Sequence, residues 1–455
     1  MATARIKRFP SLCGALTVAL FCAAVGAAHA EDVTPMVSPD RLEDVPSTRV
    51  DPFPAFDNFA WRAFIALNWP ARSEPEHRGE PDRERRPGDP GPRVWETFKA
   101  RYEAFPPEPA EPAEPAPWSQ YASLNPCGGS AKGLERVIAQ FEPYAEFNQA
   151  GFTPGKLENP LIAQNRTYVR YEVRVNEAEF DTIVEHKLYA RQNAPTAERP
   201  IDFAIGSIAV KAAWRLLNAA DTPAIRARYY VVANAEVVDV ARSRAAGGVV
   251  CSRSDVALVG LHIAVKTRYR PQWIWSTFEH IDNVPPIGKG DAREPDAHDA
   301  GAPYAFDDPA LPQGGVQPAA VDSAHPPLVD PEPMQVVRKH PIRTETMAMN
   351  RAYWALPQVR GTVWAHYMLV ATQWPTVTHP VGPDNDGRYF PGLRIDGDTP
   401  GENYQSDDQA EVESNLVNVT METFAQDQPS SCMACHGAAS NARGRDFVGI
   451  LPNPD

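Results

Sequence analysis

The sequence predicts an α+β protein: an antiparallel-sheet-rich body with a few helices and long proline-rich loops. Three observations carry this. The middle of the chain repeatedly alternates β-branched or aromatic residues with polar ones, the period-two pattern of half-buried strands. A few other stretches repeat apolar residues at the helical period. Finally, 47 of the 455 residues are proline, about twice the usual ≈ 5%. That excludes a helical bundle along the whole length and implies stiff connections. With 43% hydrophobic and 22% charged residues the chain can bury a sizeable core, and its length suits one large domain or two or three smaller ones.

The elements follow in order. Phe56, Phe59, Ala60, Ala63, Phe64 and Leu67 recur at i, i+3, i+4, i+7, i+8 and i+11, an amphipathic helix that Asn68-Trp69-Pro70 ends. Residues 72–93 are charged and rich in proline and glycine, a loop. Residues 108–117 repeat Glu-Pro-Ala and read as an extended, polyproline-like spacer. Thr167, Val169, Tyr171, Val173 and Val175 alternate with polar residues, and Ile208, Val210, Ala212, Trp214 and Leu216 do the same. A helix is expected near 177–191, between these two strands. Residues 229–232, 237–240, 256–267 and 272–280 read as further strands, the last two joined as a hairpin across Arg268-Tyr269-Arg270-Pro271. Residues 283–341 lack periodicity and read as a long loop or linker. A helix near 344–356 and a strand at 362–374 follow. Residues 379–407 return to Gly, Pro and Asp, and 415–426 suit helix or strand equally.

The first thirty residues read as an address. Arg5, Lys7 and Arg8 precede a mostly apolar run over 12–27, and Ala28-His29-Ala30 is an A-x-A cleavage site. This is a secretory signal peptide; a retained anchor is disfavoured because the apolar run is short and ends in small residues. The mature protein is therefore expected in a bacterial periplasm. Losing residues 1–30 removes three positive charges and no negative ones, taking the net charge from −14 to −17. That balance argues against nucleic acid and suits a basic or neutral protein partner. Beyond the N-terminus no apolar run reaches the roughly 18 residues of a membrane span, so none is expected after signal removal. The expected organisation is a signal peptide (1–30), a β-rich domain with an N-terminal helix (31–282), a Pro/Asp/Gly-rich loop or linker (283–341) and a C-terminal region (342–455).

Four cysteines remain in the mature chain: Cys127, Cys251, Cys432 and Cys435. The last two stand in Cys432-Met433-Ala434-Cys435-His436, and C-x-x-C-H reads as a c-type haem attachment site. Residues three apart share a helix face, so both thiols can meet the two vinyl groups of one haem. His436, four on from Cys432, stays on that side as the proximal iron ligand. A thioredoxin-like pair would want a βαβ setting that is missing here. A zinc site would need a second ligand pair, and a plain disulfide would leave His436 idle. One covalent haem c in region 342–455 is the expectation. Cys127 and Cys251 are then a disulfide candidate in an oxidising compartment, with two buried thiols as the alternative.

The motif resembles that of the c-type cytochromes, but its position departs from the small cytochrome c domain, which carries C-x-x-C-H near its start and a Met ligand well downstream. Only 19 residues follow His436, none of them Met or His. A C-terminal motif resembles instead the four-helix cytochromes c-prime and the sheet-based mono-haem cytochromes, which include β-type c-prime proteins and hydroxylamine-oxidising cytochromes. Asp446-Phe447-Val448 is similar to the aspartate-aromatic-valine that follows the haem motif in the sheet-based group. Gly260-Leu261-His262 and Trp273-Ile274-Trp275-Ser276-Thr277-Phe278-Glu279-His280 resemble a group of large exported mono-haem cytochrome c family proteins, from which no activity carries over.

The sixth iron ligand must then come from afar. On strand 256–267, alternation puts His262 on one face with Leu258, Gly260, Ala264 and Lys266, where small flanking residues leave room for a flat ligand. His280 shares a face with Ile274, Ser276 and Phe278. Met347 and Met349 are soft candidates on a helix, although Met there more often packs in a core. Trp273, Trp275, Trp354, Trp364 and Trp374 are candidate pocket walls or plain core. Two functions follow. With two strong axial ligands the protein is an electron carrier serving a redox partner protein. With an open distal site it is a haem oxidoreductase acting on a small ligand such as hydroxylamine, nitric oxide or peroxide, with His262 or Lys266 as a distal donor. Electron transfer is the preferred expectation.

Overall fold

A computed structural model describes residues 34–41, 43–45, 52–107, 114–122, 124–128, 136–150, 159–196, 199–268, 270–287, 302–312, 318–374, 418–426, 436 and 446. These form a mixed, curled sheet of eight strands with six helices, an α+β arrangement. The signal-peptide reading, Cys432, Cys435 and residues 379–407 lie outside the described residues.

The helices are α1 (Pro52–Leu67), α2 (Arg101–Ala104), α3 (Glu177–Glu185), α4 (Pro223–Arg226), α5 (Val240–Ala246) and α6 (Thr344–Ala355). The strands are β1 (Lys99–Ala100), β2 (Val137–Ile138), β3 (Arg170–Val175), β4 (Ile208–Leu216), β5 (Val231–Val238), β6 (Cys251–Val265), β7 (Ile274–His280) and β8 (Tyr367–Gln373). The order across the sheet is β1-β3-β4-β6-β5-β2, with β7 pairing both β6 and β8. Every pairing is antiparallel except β2 with β5. Strand β6 is the spine. Its first half runs between β4 and β5, its second between β4 and β7.

Helix α1 forms because its aromatic and alanine stripe has one face to bury. Phe56, Phe59, Ala60, Trp61, Ala63 and Phe64 are all essentially inaccessible to solvent. The Asn68 side chain donates to Phe64 O (2.8 Å) as the helix ends before Pro70. Trp61 stacks on Tyr353 of α6 (4.8 Å) and donates to Asn350 Oδ1 (2.8 Å). These two helices cover one sheet face, where Leu258, Leu261, Ile263 and Val265 of β6 join the core. Helix α3 starts where the Asn176 side chain accepts from Glu179 N (3.3 Å), an N-cap.

Several expectations shift. The strands read at 229–232 and 237–240 are one strand, β5, with an irregularity between Val232 and Ala235. The strand read at 362–374 begins later, because Thr362 caps a 3-10 turn at Val363–His366 before β8 starts. Residues 418–426 are turns, neither helix nor strand. The described parts of 283–341 lack regular structure yet pack on the body, burying Phe306, Val321, Met334 and Val336. Beyond them β8 pairs with β7, so the sheet continues across the stretch read as a linker. Part of the Glu-Pro-Ala stretch is also held: Lys99 Nζ donates to Ala116 O and Pro117 O, both at 3.0 Å. Cys127 and Cys251 are joined, with Sγ–Sγ 2.02 Å. Among the described residues no helix is long and apolar enough to cross a membrane.

Candidate functional site

The face of the sheet opposite α1 carries His262, Lys266 and Trp275 and meets His436. Cross-strand register sets its rows. Gly260 lies between Ala213 and Glu279, His262 between Lys211 and Thr277, and Ala264 between Ala209 and Trp275. Facing pairs in adjacent strands point the same way, so His262, Ala264, Trp275 and Thr277 form one patch. Alanines at 209 and 264 keep it low beside the Trp275 ring.

Leu258 does not belong to this face, contrary to simple alternation. Ala213 pairs with Gly260 but Trp214 pairs with Leu258, so Val259 is an extra residue in a bulge. The bulge flips the strand. Leu258 joins Leu261, Ile263 and Val265 in the core under α1, and Val259 packs on the other side.

The described parts of the C-terminal chain, 418–426, 436 and 446, meet this face at successive points in the direction of β6. Thr420 sits over Gly260, so close that a Cβ there would lie 2.1 Å from Thr420 Oγ1. Asn418 Nδ2 donates to Thr277 Oγ1 (3.0 Å) and Phe278 O (2.8 Å), and Tyr171 OH donates to Thr420 O (2.6 Å). Glu422 Oε1 lies 3.3 Å from His262 Nε2. The contact lacks hydrogen-bond alignment, and this Nε2 is buried without a hydrogen-bond partner. Farther along, the His436 ring lies against Trp275, centroids 4.3 Å apart and planes at 37°. Farther still, Asp446 is fully buried and accepts from Phe203 N (2.7 Å), Lys266 Nζ (2.7 Å) and Trp273 Nε1 (3.4 Å).

Electrostatics at this last station are unusual. Lys266 Nζ, inaccessible to solvent, is held between Asp446 and Asp202 (2.6 Å). Burial pushes Asp446 up to about 7, with Lys266 pulling back and Asp202 adding to the rise. Burial raises Asp202 as well, against the pull of Lys266. Glu179 of α3 is fully buried with neither carboxyl oxygen hydrogen-bonded, and burial, reinforced by Asp446, drives it well above the usual range. Sequence reasoning had picked out Asp446 and Lys266 separately. Glu179 and Asp202 were missed, because no local pattern signals a carboxyl brought in by tertiary packing.

The other candidates are accounted for elsewhere. His280 has both ring nitrogens committed: Nδ1 accepts from Asp282 N (3.1 Å) and Nε2 lies 3.1 Å from Arg228 O. It also stacks on Tyr229 at 3.8 Å, and burial pushes it down to about 3. It is a neutral structural histidine with no nitrogen left for iron. Met347 is wholly buried beneath the helix, its sulfur accepting from Asn350 Nδ2 (3.3 Å), and Met349 packs in the α1–α6 core. Lys266, spent on two carboxylates, is not an open-site donor. Of the tryptophans, Trp364 and Trp374 are core, Trp354 donates to Tyr367 O (2.8 Å), and Trp273 and Trp275 back the patch.

His436 and His262 are thus the two imidazoles the chain brings to one patch. His262 Nε2, buried without a hydrogen bond and 3.3 Å from Glu422 Oε1, is the kind of nitrogen by which an imidazole would hold a haem iron. Among the described residues no group of three or more His, Cys, Asp or Glu is placed to hold a bare metal ion. A separate cleft of about 1120 Å³, lined by Arg93, Arg136, Tyr230 and the β5 residues Val231 and Val232, opens near the start of β6. No family model matches the chain, and no curated protein or solved structure matches it.

Proposed function

We propose that the protein is an exported mono-haem c-type cytochrome that works in electron transfer. Cys432 and Cys435 hold the haem by thioethers and His436 is the proximal ligand. The observation that carries the reading is Cys432-Met433-Ala434-Cys435-His436, with His436 against Trp275 on a patch that also bears His262. In this reading His262 is the sixth ligand. The bound group supplies a reversible one-electron couple. The chain's own residues do the rest. Trp275 lies against the His436 ring and orients it. Asn418, Thr420 and Asp446 fasten the two ends of the haem segment to the sheet. Export follows from the signal peptide at 1–30, and the net charge of −17 after its removal selects a basic or neutral redox partner protein.

The test is intact-mass spectrometry and visible spectroscopy of protein exported from a host competent in haem c maturation. The expected result is one covalent haem, lost in Cys432→Ala with Cys435→Ala. A low-spin spectrum that becomes high-spin in His262→Ala identifies the sixth ligand. A wild-type mass equal to the bare polypeptide overturns the reading.

A further inference from the structure

The cluster at Asp446 is larger than a tether needs. One salt bridge would fasten the chain, yet three carboxyl groups gather around one ammonium. Asp446 and Lys266 are wholly buried, Glu179 is wholly buried without a hydrogen bond, and Asp202 lies at the rim with its side chain 28% exposed. These are the charged groups that the described residues turn toward Asp446: Glu179 from α3, Asp202 from the segment before β4 and Lys266 from the end of β6. With every group ionised, two negative charges would stand uncompensated in a dry environment, at high cost. The cluster therefore binds protons easily. Lys266 is two residues beyond Ala264, whose cross-strand partner Trp275 carries His436, a separation of about 7 Å along the strand. The two stations are neighbours on one face of the sheet, so a unit charge added beside His436 acts electrostatically on the cluster through the low-dielectric interior.

Resting on the haem reading above, we propose that the Glu179–Asp202–Lys266–Asp446 cluster is a proton-binding site coupled to electron transfer. It takes up one proton from solvent for each electron that a one-electron donor protein delivers to the haem. It releases that proton when the electron leaves. Asp202, at the rim, is the entry point; Glu179 and Asp446 share the stored proton. The added negative charge and the added proton cancel, so the buried site carries no net change.

The position of these groups fits such a role. Burial raises both carboxyls, Asp446 to about 7, which puts uptake at Asp446 in the neutral range. The experiment is spectroelectrochemical titration of the haem-loaded protein between pH 5 and 9. The midpoint potential is expected to fall with rising pH, approaching the ~59 mV that a tenfold change is worth for a one-electron couple. Glu179→Gln and Asp202→Asn, made separately, are each expected to flatten that slope with the visible spectrum and the haem stoichiometry preserved. A purely structural cluster would move stability and leave the slope alone. A flat wild-type slope overturns the proposal, and so does a slope unchanged in both variants, which would assign the proton to the haem's own carboxylates. Protein without covalent haem overturns the haem reading itself, a distinguishable failure.

Discussion

Gly260 shows how one hydrogen atom can decide the position of a whole segment. With any side chain there, the Thr420 hydroxyl would have to retreat, since the added Cβ would stand 2.1 Å from Thr420 Oγ1. Thr420 has little freedom to do so: its Oγ1 donates to Asn418 Oδ1 (2.7 Å) and its carbonyl accepts from Tyr171 OH. Gly260→Ala is therefore expected to destabilise the protein by about 1–3 kcal/mol, the range for overpacking. Thr420→Ala removes the clashing atoms, so the double variant should recover most of that loss, and a double-mutant cycle in urea reads the coupling. A Gly260→Ala protein as stable as wild type would mean the C-terminal segment does not close on β6. The same residue marks where sequence reading succeeded and failed. Gly260 and Ala264 flanking His262 were legible as a low patch. The bulge at Val259, which turns Leu258 away, was not, because alternation carries no mark of an inserted residue beyond a nearby glycine.

Among the elements, those with a repeated local pattern were readable and those fixed by distant partners were not. Helix α1 announces itself by six aromatic, alanine or leucine positions on one stripe, and β4 matches its alternation from Ile208 to Leu216. The β6–β7 hairpin was equally plain. By contrast, residues 418–426 have no period of their own. Their shape is set by Asn418 reaching Thr277 and Val419 N donating to Glu279 Oε2 (3.3 Å), more than a hundred residues away. For the same reason the segment 283–341 read as a loop or linker: the burial of its described parts depends on the sheet they lie on. The Cys127–Cys251 bond lies between these cases, since the pairing was inferable and its placement was not. It ties the stretch before β2, a strand of only two residues, to the first residue of β6. The loop spans 124 residues, for which the loop-entropy model gives a stabilisation of about 4–5 kcal/mol. Cys127→Ser with Cys251→Ser should lower the denaturation midpoint accordingly. A midpoint unchanged from wild type would show that the crosslink restrains nothing in the unfolded chain.

On the scale of the whole molecule, buried ionisable groups set how stability follows pH. Burial raises Asp57 to about 6, opposed by hydroxyl donors from Thr346 and Thr372. It raises Glu146 to about 7 against the pull of Arg170, and Asp446 to about 7. In each, the folded state binds the proton more tightly than the unfolded state. Their contribution is full below the ordinary carboxylate range and is lost as pH rises through 6 to 7. His280 acts in the opposite sense: burial lowers it to about 3, so its contribution is full above about 6.5 and is lost as pH falls. Between pH 4.5 and 6 these three carboxyls, joined by Glu179 and Asp202, favour acid and His280 favours base, each bound proton being worth about 1.4 kcal/mol per pH unit. The net charge of −14 adds self-repulsion with the same sign as the carboxyls. The protein should therefore be more stable near pH 5 than near pH 7.5, measured as the urea midpoint at fixed ionic strength. Asp57→Asn and Glu146→Gln should each reduce the difference, because an amide keeps the shape but cannot lose a proton. A midpoint that climbs steadily from pH 5 to 7.5 would mean these carboxyls meet water in the folded state, and that the interior built around α1 and β3 is less closed than its packing implies.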